Sequence, residues 1–278
     1  MTALKKTILG ISDMKSLFQS INNFYSLDFS NYALSSLKSR IEEFMFQYHF
    51  LNIEELIAKI ESDNSIFQLL LKKILVDSTE MFRDPDFWNF FKINVLNRNI
   101  YQNELKIWIP ECNSGEELYT IQIIIHQLNL QQKTKVSLTT LSPLNIERIL
   151  KASLEIKKME INSANFERYQ EQGKLEEYFT NKSNSLKLNP EFLENVEISH
   201  HNLLTDKAPG IYDIILFRNK MLYYNPSLKI EVLRILHSAL KPGGYIAIGI
   251  KESLDFPGWE QEYIVVSESE RIYKKILG

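Results

Sequence analysis

The chain has 278 residues, 44% of them hydrophobic and 24% charged, with a formal net charge of −3. That length accommodates one large domain or two small ones with a sizeable core, and the slightly acidic balance implies no general affinity for nucleic acid. A single cysteine, Cys112, excludes an internal disulfide framework and fits a reducing cytoplasm, and no apolar run approaches the roughly 18 residues that span a bilayer, so no membrane insertion is expected.

Residues 1 to 95 show no strand pattern and are expected to form a small all-α domain. Leu34, Leu37, Ile41, Phe44 and Met45 recur at helical spacing, with Lys38, Arg40, Glu42 and Glu43 on the other face. Asn52 is placed to cap a helix whose third residue is Glu55, and the stretch from Ile66 to Val76 is apolar enough for a buried helix. The segment Ser78-Thr79-Glu80-Met81-Phe82-Arg83-Asp84-Pro85 follows. Pro85 turns Asp84 away from helix and starts the next one, on which Phe87, Trp88, Phe90 and Phe91 make an aromatic face. Arg83, between Phe82 and a proline turn, reads either as a functional guanidinium or as half of an ion pair with Asp84 or a glutamate.

Residues 96 to 278 alternate strands with helices. Strands are expected at Lys106–Ile109, Lys135–Thr139, Val196–Ser199, Tyr212–Phe217 and Tyr245–Ile250. Tyr263–Ser267 and Glu270–Ile276 read as a closing hairpin. Helices are expected at Glu116–Leu128, Pro143–Ser153 and Ser227–Leu240, with a turn at Lys241-Pro242-Gly243-Gly244. Such alternation gives an α/β, Rossmann-like, mostly parallel sheet, here with an antiparallel edge hairpin at its C-terminal end. The polar stretch near 154–199 reads as a small insertion.

One turn stands out. Ile107-Trp108-Ile109 leads through Cys112-Asn113-Ser114-Gly115 into Glu116, Glu117 and an apolar helix. Strand, tight turn and helix form the opening unit of a nucleotide-binding sheet, with Gly115 supplying backbone freedom. The two acids favour the helix N-terminus and repel phosphate, so a cationic or hydroxyl-bearing ligand suits the turn better than a pyrophosphate. An ordinary capped helix after a strand fits the turn equally well.

Five segments together resemble the CheR-type chemoreceptor glutamate methyltransferases. STEMFRDPDFW from Ser78 is similar to T-x-F-F-R-[DE]-P, and the turn from Pro110 resembles A-G-C-S-T-G-E-E-P-Y-S. HHNLL ending at Leu204 resembles N-L-L, LFRNKMLYYNP from Leu216 is similar to C-R-N-V-x-I-Y-F, and LKPGGYIAIGIKESL from Leu240 looks like L-x-P-G-G-x-L-x-L-G-x-S-E. The resemblance covers nearly the whole chain. It implies a cytoplasmic enzyme with S-adenosylmethionine as cofactor and a glutamate of a chemoreceptor cytoplasmic domain, or a related signalling protein, as acceptor. It further implies Arg83 and Tyr223 as catalytic residues, and Asp77, Thr79, Arg83, Glu117, Thr140, Asn202, Leu203, Arg218 and Asn219 around the cofactor. Lys38 and Arg40 are expected to steer the acidic partner. No metal is implied, and His126, His200 and His201 have no family role.

Several positions depart from the pattern. The family has a small residue, often glycine, where Glu111 stands, and an aspartate for the cofactor's ribose end where this chain runs Leu138-Thr139-Thr140-Leu141-Ser142. Thr140 or Ser142 is left to replace that acid. Phe217 takes the place of a cysteine, and Lys251-Glu252 that of Ser-Glu. The stretch Ser183–Ser199 lacks the glycines of members that grip a receptor peptide. A second reading therefore stays open, a degenerate domain with weakened or lost cofactor binding that acts as a signalling protein-binding module. A third is a methyltransferase of another substrate class on the same fold.

Overall fold

The computed structural model describes residues 8–75, 79–170, 172–182 and 185–276. The chain divides into two compact units, Met1–Val76 with Met221–Ile230, and Asp77–Lys220 with Glu231–Gly278.

The first unit contains α1 (Ile11–Tyr25), α2 (Leu34–Gln47), α3 (Ile53–Ser62) and α4 (Asn64–Ile74). The stripe read from the sequence of α2 is its buried face: Leu37, Ile41, Phe44 and Met45 join Met14, Leu17, Ile21, Leu56 and Leu70 in one core, while Leu34 at the first turn stays exposed. Asn52 caps α3 by accepting the Glu55 N–H at 2.9 Å, and the Glu55 carboxylate reaches back to the Leu51 N–H at 2.9 Å. Asp63 ends α3 and also caps α4 through the Ser65 N–H at 3.0 Å. Hydrogen bonds from Ser65 and then Lys59 hold its carboxyl down to about 2. Arg40 is anchored within the helical unit. Its guanidinium donates to the carbonyl of Ile74 and lies 5.1 Å from the centre of the Tyr223 ring, while Lys38 sits 3.7 Å from Glu42.

The second unit starts with α5 (Pro85–Phe91), followed by β1 (Leu105–Ile109), α6 (Glu116–Gln127), β2 (Thr134–Thr140), α7 (Pro143–Lys151), β3 (Ser153–Glu155), α8 (Met159–Tyr169), β4 (Phe179–Lys182), β5 (Ser185–Leu188), β6 (Val196–His200) and β7 (Tyr212–Phe217). After α9 (Pro226–Ala239) come β8 (Leu240–Ile248), α10 (Trp259–Glu262), β9 (Tyr263–Ser267) and β10 (Ile272–Lys275). Seven strands form one sheet in the order β6-β2-β1-β7-β8-β10-β9. The pairs β6/β2, β2/β1, β1/β7 and β7/β8 are parallel, and β10 runs antiparallel to β8 and β9. Ile107, Ile109, Val136, Leu138, Ile214 and Leu216 from one face share a core with Phe87, Trp88 and Phe91 of α5. That shared core is why the first unit ends near Val76 and α5 belongs with the sheet, earlier than the strand pattern alone places the division.

Two features differ from the sequence reading. Strand β8 starts at Leu240 rather than after a Lys-Pro-Gly-Gly turn. Its pairing with β7 shifts register between Tyr212 and Ile214, and that irregularity accommodates Pro242, which has no N–H to give the ladder. The insertion carries a three-stranded sheet of its own, β3-β5-β4, and helix α8, while β6 at its end belongs to the main sheet. Gln127, the last residue of α6, ties the insertion down. Its Oε1 accepts from Lys92 Nζ at 3.0 Å and the Tyr169 hydroxyl at 2.9 Å, and its Nε2 donates to Gln170 Oε1 at 3.0 Å and the Tyr178 hydroxyl at 2.9 Å.

Replacing Asn52 by Ala removes the cap of α3 and is expected to lower the unfolding free energy by about 1 kcal/mol, read as a shift of the urea midpoint with unchanged slope.

Candidate active site

In an open parallel sheet ligands bind beyond the carboxyl ends of the strands, where the strand order reverses. Here that point lies between β1 and β7, and the turn from Glu111 to Gly115 leaves β1 beside it. Gly115 caps α6 at φ 93°, a left-handed conformation, and a Cβ there would meet the Tyr119 hydroxyl at 2.6 Å and ring Cζ at 2.7 Å. Tyr119 is fixed in turn, since its hydroxyl donates to the carbonyl of Ile149 at 2.9 Å and burial pushes its phenol pKa up. Glu111 also has φ in the left-handed region, at 53°. A glutamate held there carries a backbone cost that glycine would not.

Each residue of the turn holds a different part of the unit. Asn113 accepts from the Thr140 hydroxyl at 2.7 Å and from Asn145 Nδ2 at 3.2 Å, which joins it to β2 and α7. Ser114 shares a 2.7 Å hydrogen bond with Thr79, whose hydroxyl lies 3.1 Å from Glu116 Oε2. The other oxygen of Glu116, Oε1, accepts from Lys158 Nζ at 2.7 Å. Glu116 is only 1% exposed. Burial alone would raise its pKa, but hydrogen bonding and charge from Lys158, with Ser114, outweigh it and hold the carboxyl below its usual range. Glu117 lies 3.9 Å from Arg218 Nη1.

Arg218 directly follows β7 and is 3% exposed. Its Nη2 donates to Asp84 Oδ2 at 2.7 Å, and its guanidinium lies 3.7 Å from the centre of the Phe87 ring and 5.4 Å from that of Trp88. Burial pushes its pKa down; Glu117, Asp84 and Glu252 oppose that, and Arg83 adds to it. The carboxylate of Asp84 thus serves Arg218. Phe82 and Asp84, on either side of Arg83, have φ of 54° and 58°. Backbone of this kind costs roughly 1–3 kcal/mol per residue and persists where the surroundings over-determine it. Those surroundings are visible: the Met81 N–H donates to Asn162 Oδ1 and the Phe82 N–H to Thr120 Oγ1, both at 3.0 Å.

Asn219 sits next to Arg218 at φ 61°. Its N–H donates to Glu252 Oε2 at 2.9 Å, and the same oxygen accepts the Gly249 N–H at 2.6 Å, which joins the ends of β7 and β8. Asn202 and Leu203 follow β6. The Asn202 side chain accepts from the Leu204 N–H at 3.1 Å, Leu203 is buried, and the adjoining His201 N–H bonds the carbonyl of Thr140 at 3.1 Å. Asp77 lies outside the described residues, and Tyr223 belongs to the helical unit. The structure therefore links Thr79, Glu117, Thr140, Arg218 and Asn219 through the turn and its immediate partners, with Arg83 beside them. The sequence marked the turn that carries Asn113 and Glu116 but gave neither a role, and Lys158 and the pairing of Asp84 with Arg218 left no signal.

The residues present suit a cofactor with an ammonium group at one end and hydroxyls at the other. Acids rather than phosphate-binding groups stand at the start of α6. At the end of β2 the Thr140 proton is engaged by Asn113, but Ser142 Oγ is fully buried and makes no hydrogen bond. A buried hydroxyl left in that state is destabilising unless a ligand meets it.

Residues 77–271 match the model of the CheR methyltransferase SAM-binding domain, and residues 12–75 that of the CheR methyltransferase all-alpha domain. The chain belongs to the CheR methyltransferase family. Its cofactor is S-adenosylmethionine. The Cher3 protein of Pseudomonas putida, a methyltransferase by name, is 27% identical over 95% of this chain and 96% of its own length. The chemotaxis protein methyltransferase Cher2 of the same organism is 27% identical over 79% and 82%, and the chemotaxis protein methyltransferase of Listeria innocua 23% over 82% and 85%. Among solved structures, the rRNA methyltransferase aviRa of Streptomyces viridochromogenes superposes with a TM-score of 0.42 at 14% identity, covering 72% of this chain and 87% of that one. Among the described residues no helix is long and apolar enough to cross a membrane.

Gly115→Ala places a Cβ against the Tyr119 side chain and forces a left-handed backbone on alanine. We expect a loss of more than about 1 kcal/mol of stability. Adding Tyr119→Phe should not restore it, because the clash includes ring carbons, and paired thermal melts check both outcomes.

Proposed function

We propose that this CheR methyltransferase family member transfers a methyl group from S-adenosylmethionine to glutamate side chains of a chemoreceptor cytoplasmic domain, in the cytoplasm. The observation that carries this reading is the placement of Arg83. It rides on a strained, pinned segment beside the buried Arg218 and its acids Asp84 and Glu117 at the carboxyl ends of the strands. Bound S-adenosylmethionine supplies an electrophilic methyl on a sulfonium. The names of relatives that are chemotaxis protein methyltransferases support the choice of acceptor.

A glutamate side chain, with an ordinary pKa near ~4.3, is already an anionic nucleophile at neutral pH. The chain's own residues then need no strong base. They need to orient the acceptor carboxylate and exclude water from it. Arg83 suits the first task, since a guanidinium grips a carboxylate with two parallel N–H donors. Glu117 is the proposed partner of the cofactor's ammonium group. Thr79, Arg218 and Asn219 frame the same end, and Asn202, Leu203, Thr140 and Ser142 are proposed to line the ribose and adenine end, with Asp77 beside Thr79. Thr140 acts chiefly by fixing Asn113, and Ser142 is the better replacement for the missing aspartate. Tyr223 is the second proposed catalytic residue. Tyr223→Phe keeps the ring that meets Arg40 and isolates the hydroxyl.

Calorimetry with S-adenosylhomocysteine and methyl-transfer assays on receptor cytoplasmic fragments test the reading. Arg83→Ala is expected to lower kcat/KM by about 10²-fold, the effect of losing one preorganised donor, with little change in melting temperature. Unchanged turnover removes Arg83 from the mechanism. A wild-type protein that fails to bind the product would favour the degenerate binding module instead.

A further inference from the structure

Lys158 belongs to no motif and lies in the insertion, on the short turn Ile156–Lys158 that runs into α8. Its amine nevertheless reaches the first acid of the cofactor turn, Nζ to Glu116 Oε1 at 2.7 Å. Glu116 is not placed to meet a ligand itself. It is 1% exposed, and its second oxygen faces the Thr79 hydroxyl at 3.1 Å, which in turn shares its 2.7 Å bond with Ser114. Lys158, Glu116, Thr79 and Ser114 thus form one continuous chain of charge-assisted and neutral hydrogen bonds, and it ends on two residues of the site. The same insertion helix grips the neighbouring backbone. Asn162 accepts from the Met81 N–H, and Asn165 Nδ2 donates to the Met81 carbonyl at 3.0 Å.

We propose that Lys158 is a positioning residue for the cofactor turn: acting through Glu116, it fixes Thr79 and Ser114 in the geometry that receives the cofactor, so the insertion sets cofactor affinity without touching the cofactor. This rests on the proposed placement of the cofactor at that turn. A buried carboxylate deprived of the one cation that pairs with it among the described residues either takes up a proton or moves toward water. Either response rotates the acceptor away from Thr79 and loosens the start of α6, where Glu117 is the next residue. Lys157, the neighbouring lysine, is a natural control. It pairs with the exposed Glu155 at 2.7 Å and its side chain is 79% exposed.

The test is S-adenosylhomocysteine calorimetry on the full chain in a double-mutant cycle. Lys158→Met is expected to weaken binding roughly tenfold, the equivalent of one charge-assisted hydrogen bond, while Lys158→Arg stays within about threefold of wild type and Lys157→Met is unchanged. Lys158→Gln keeps a donor without the charge and should fall between, and it replaces the Met variant if that one does not fold. The decisive arm is the combination with Glu116→Gln. If Lys158 acts through Glu116, the double variant binds no more weakly than Lys158→Met alone, a strong departure from additivity. Binding by Lys158→Met and Lys158→Gln equal to that of wild type overturns the proposal, as do fully additive effects, which would mark a merely structural lysine. A wild-type protein that does not bind the product removes the underlying reading of the site as well, so the two failures remain distinct.

Discussion

A guanidinium taken out of water is destabilising by several kcal/mol unless its charge is met at close range, and Arg218 is taken out almost completely. Its needs organise the carboxyl end of the sheet. Asp84 supplies the close carboxylate, Glu117 and Glu252 add longer-range attraction, and the Phe87 face covers the planar group. Meeting those needs places α5 against the end of β7 and leaves Asp84 in a left-handed conformation, with Arg83 presented beside the cluster. The strain at Phe82 and Asp84 is thus coupled to the burial of one charge.

The same logic explains why the two acids after Gly115 differ in role. Glu116 is inside, saturated by Lys158, Thr79 and Ser114, and acts as a strut. Glu117 is the less enclosed of the pair and faces the arginine cluster. One helical step of 100° separates them, so a doubled acid at a helix start sends one carboxylate into the protein and the other toward Arg218.

Local rules made much of the fold legible. The apolar runs at Ile107–Ile109 and Tyr212–Phe217, the alternation of strand and helix, the Asn52 cap and the stripe on α2 all follow from spacing and capping chemistry. The motifs at 79–85, 112–117 and 218–219 pointed to residues the structure links around one turn. What remained hidden shares a physical character. The Arg218–Asp84 and Lys158–Glu116 pairs join distant segments through single side chains, and a charged residue that will be buried looks like any other charged residue until its partner is known. Proline and two glycines made Lys241–Gly244 look like a turn, but a register shift absorbed them into β8. The aromatic run of α5 resembled an all-α neighbour because its core partners come later in the chain.

The contacts that complete the active-site end span long stretches of sequence: 42 positions between Lys158 and Glu116, 81 between Asn162 and Met81, 134 between Arg218 and Asp84. During synthesis, the strained segment around Arg83 leaves the ribosome well before the residues that hold it. Asp84 cannot meet the Arg218 guanidinium until β7 has been made, and Asn219 has no clamp until Glu252 follows β8. High sequence separation is also what slows closure, since loop entropy must be overcome before such contacts form. The active-site end is therefore assembled late by construction, and a chain interrupted before β8 would carry most of the family's motifs without being able to close the site they belong to.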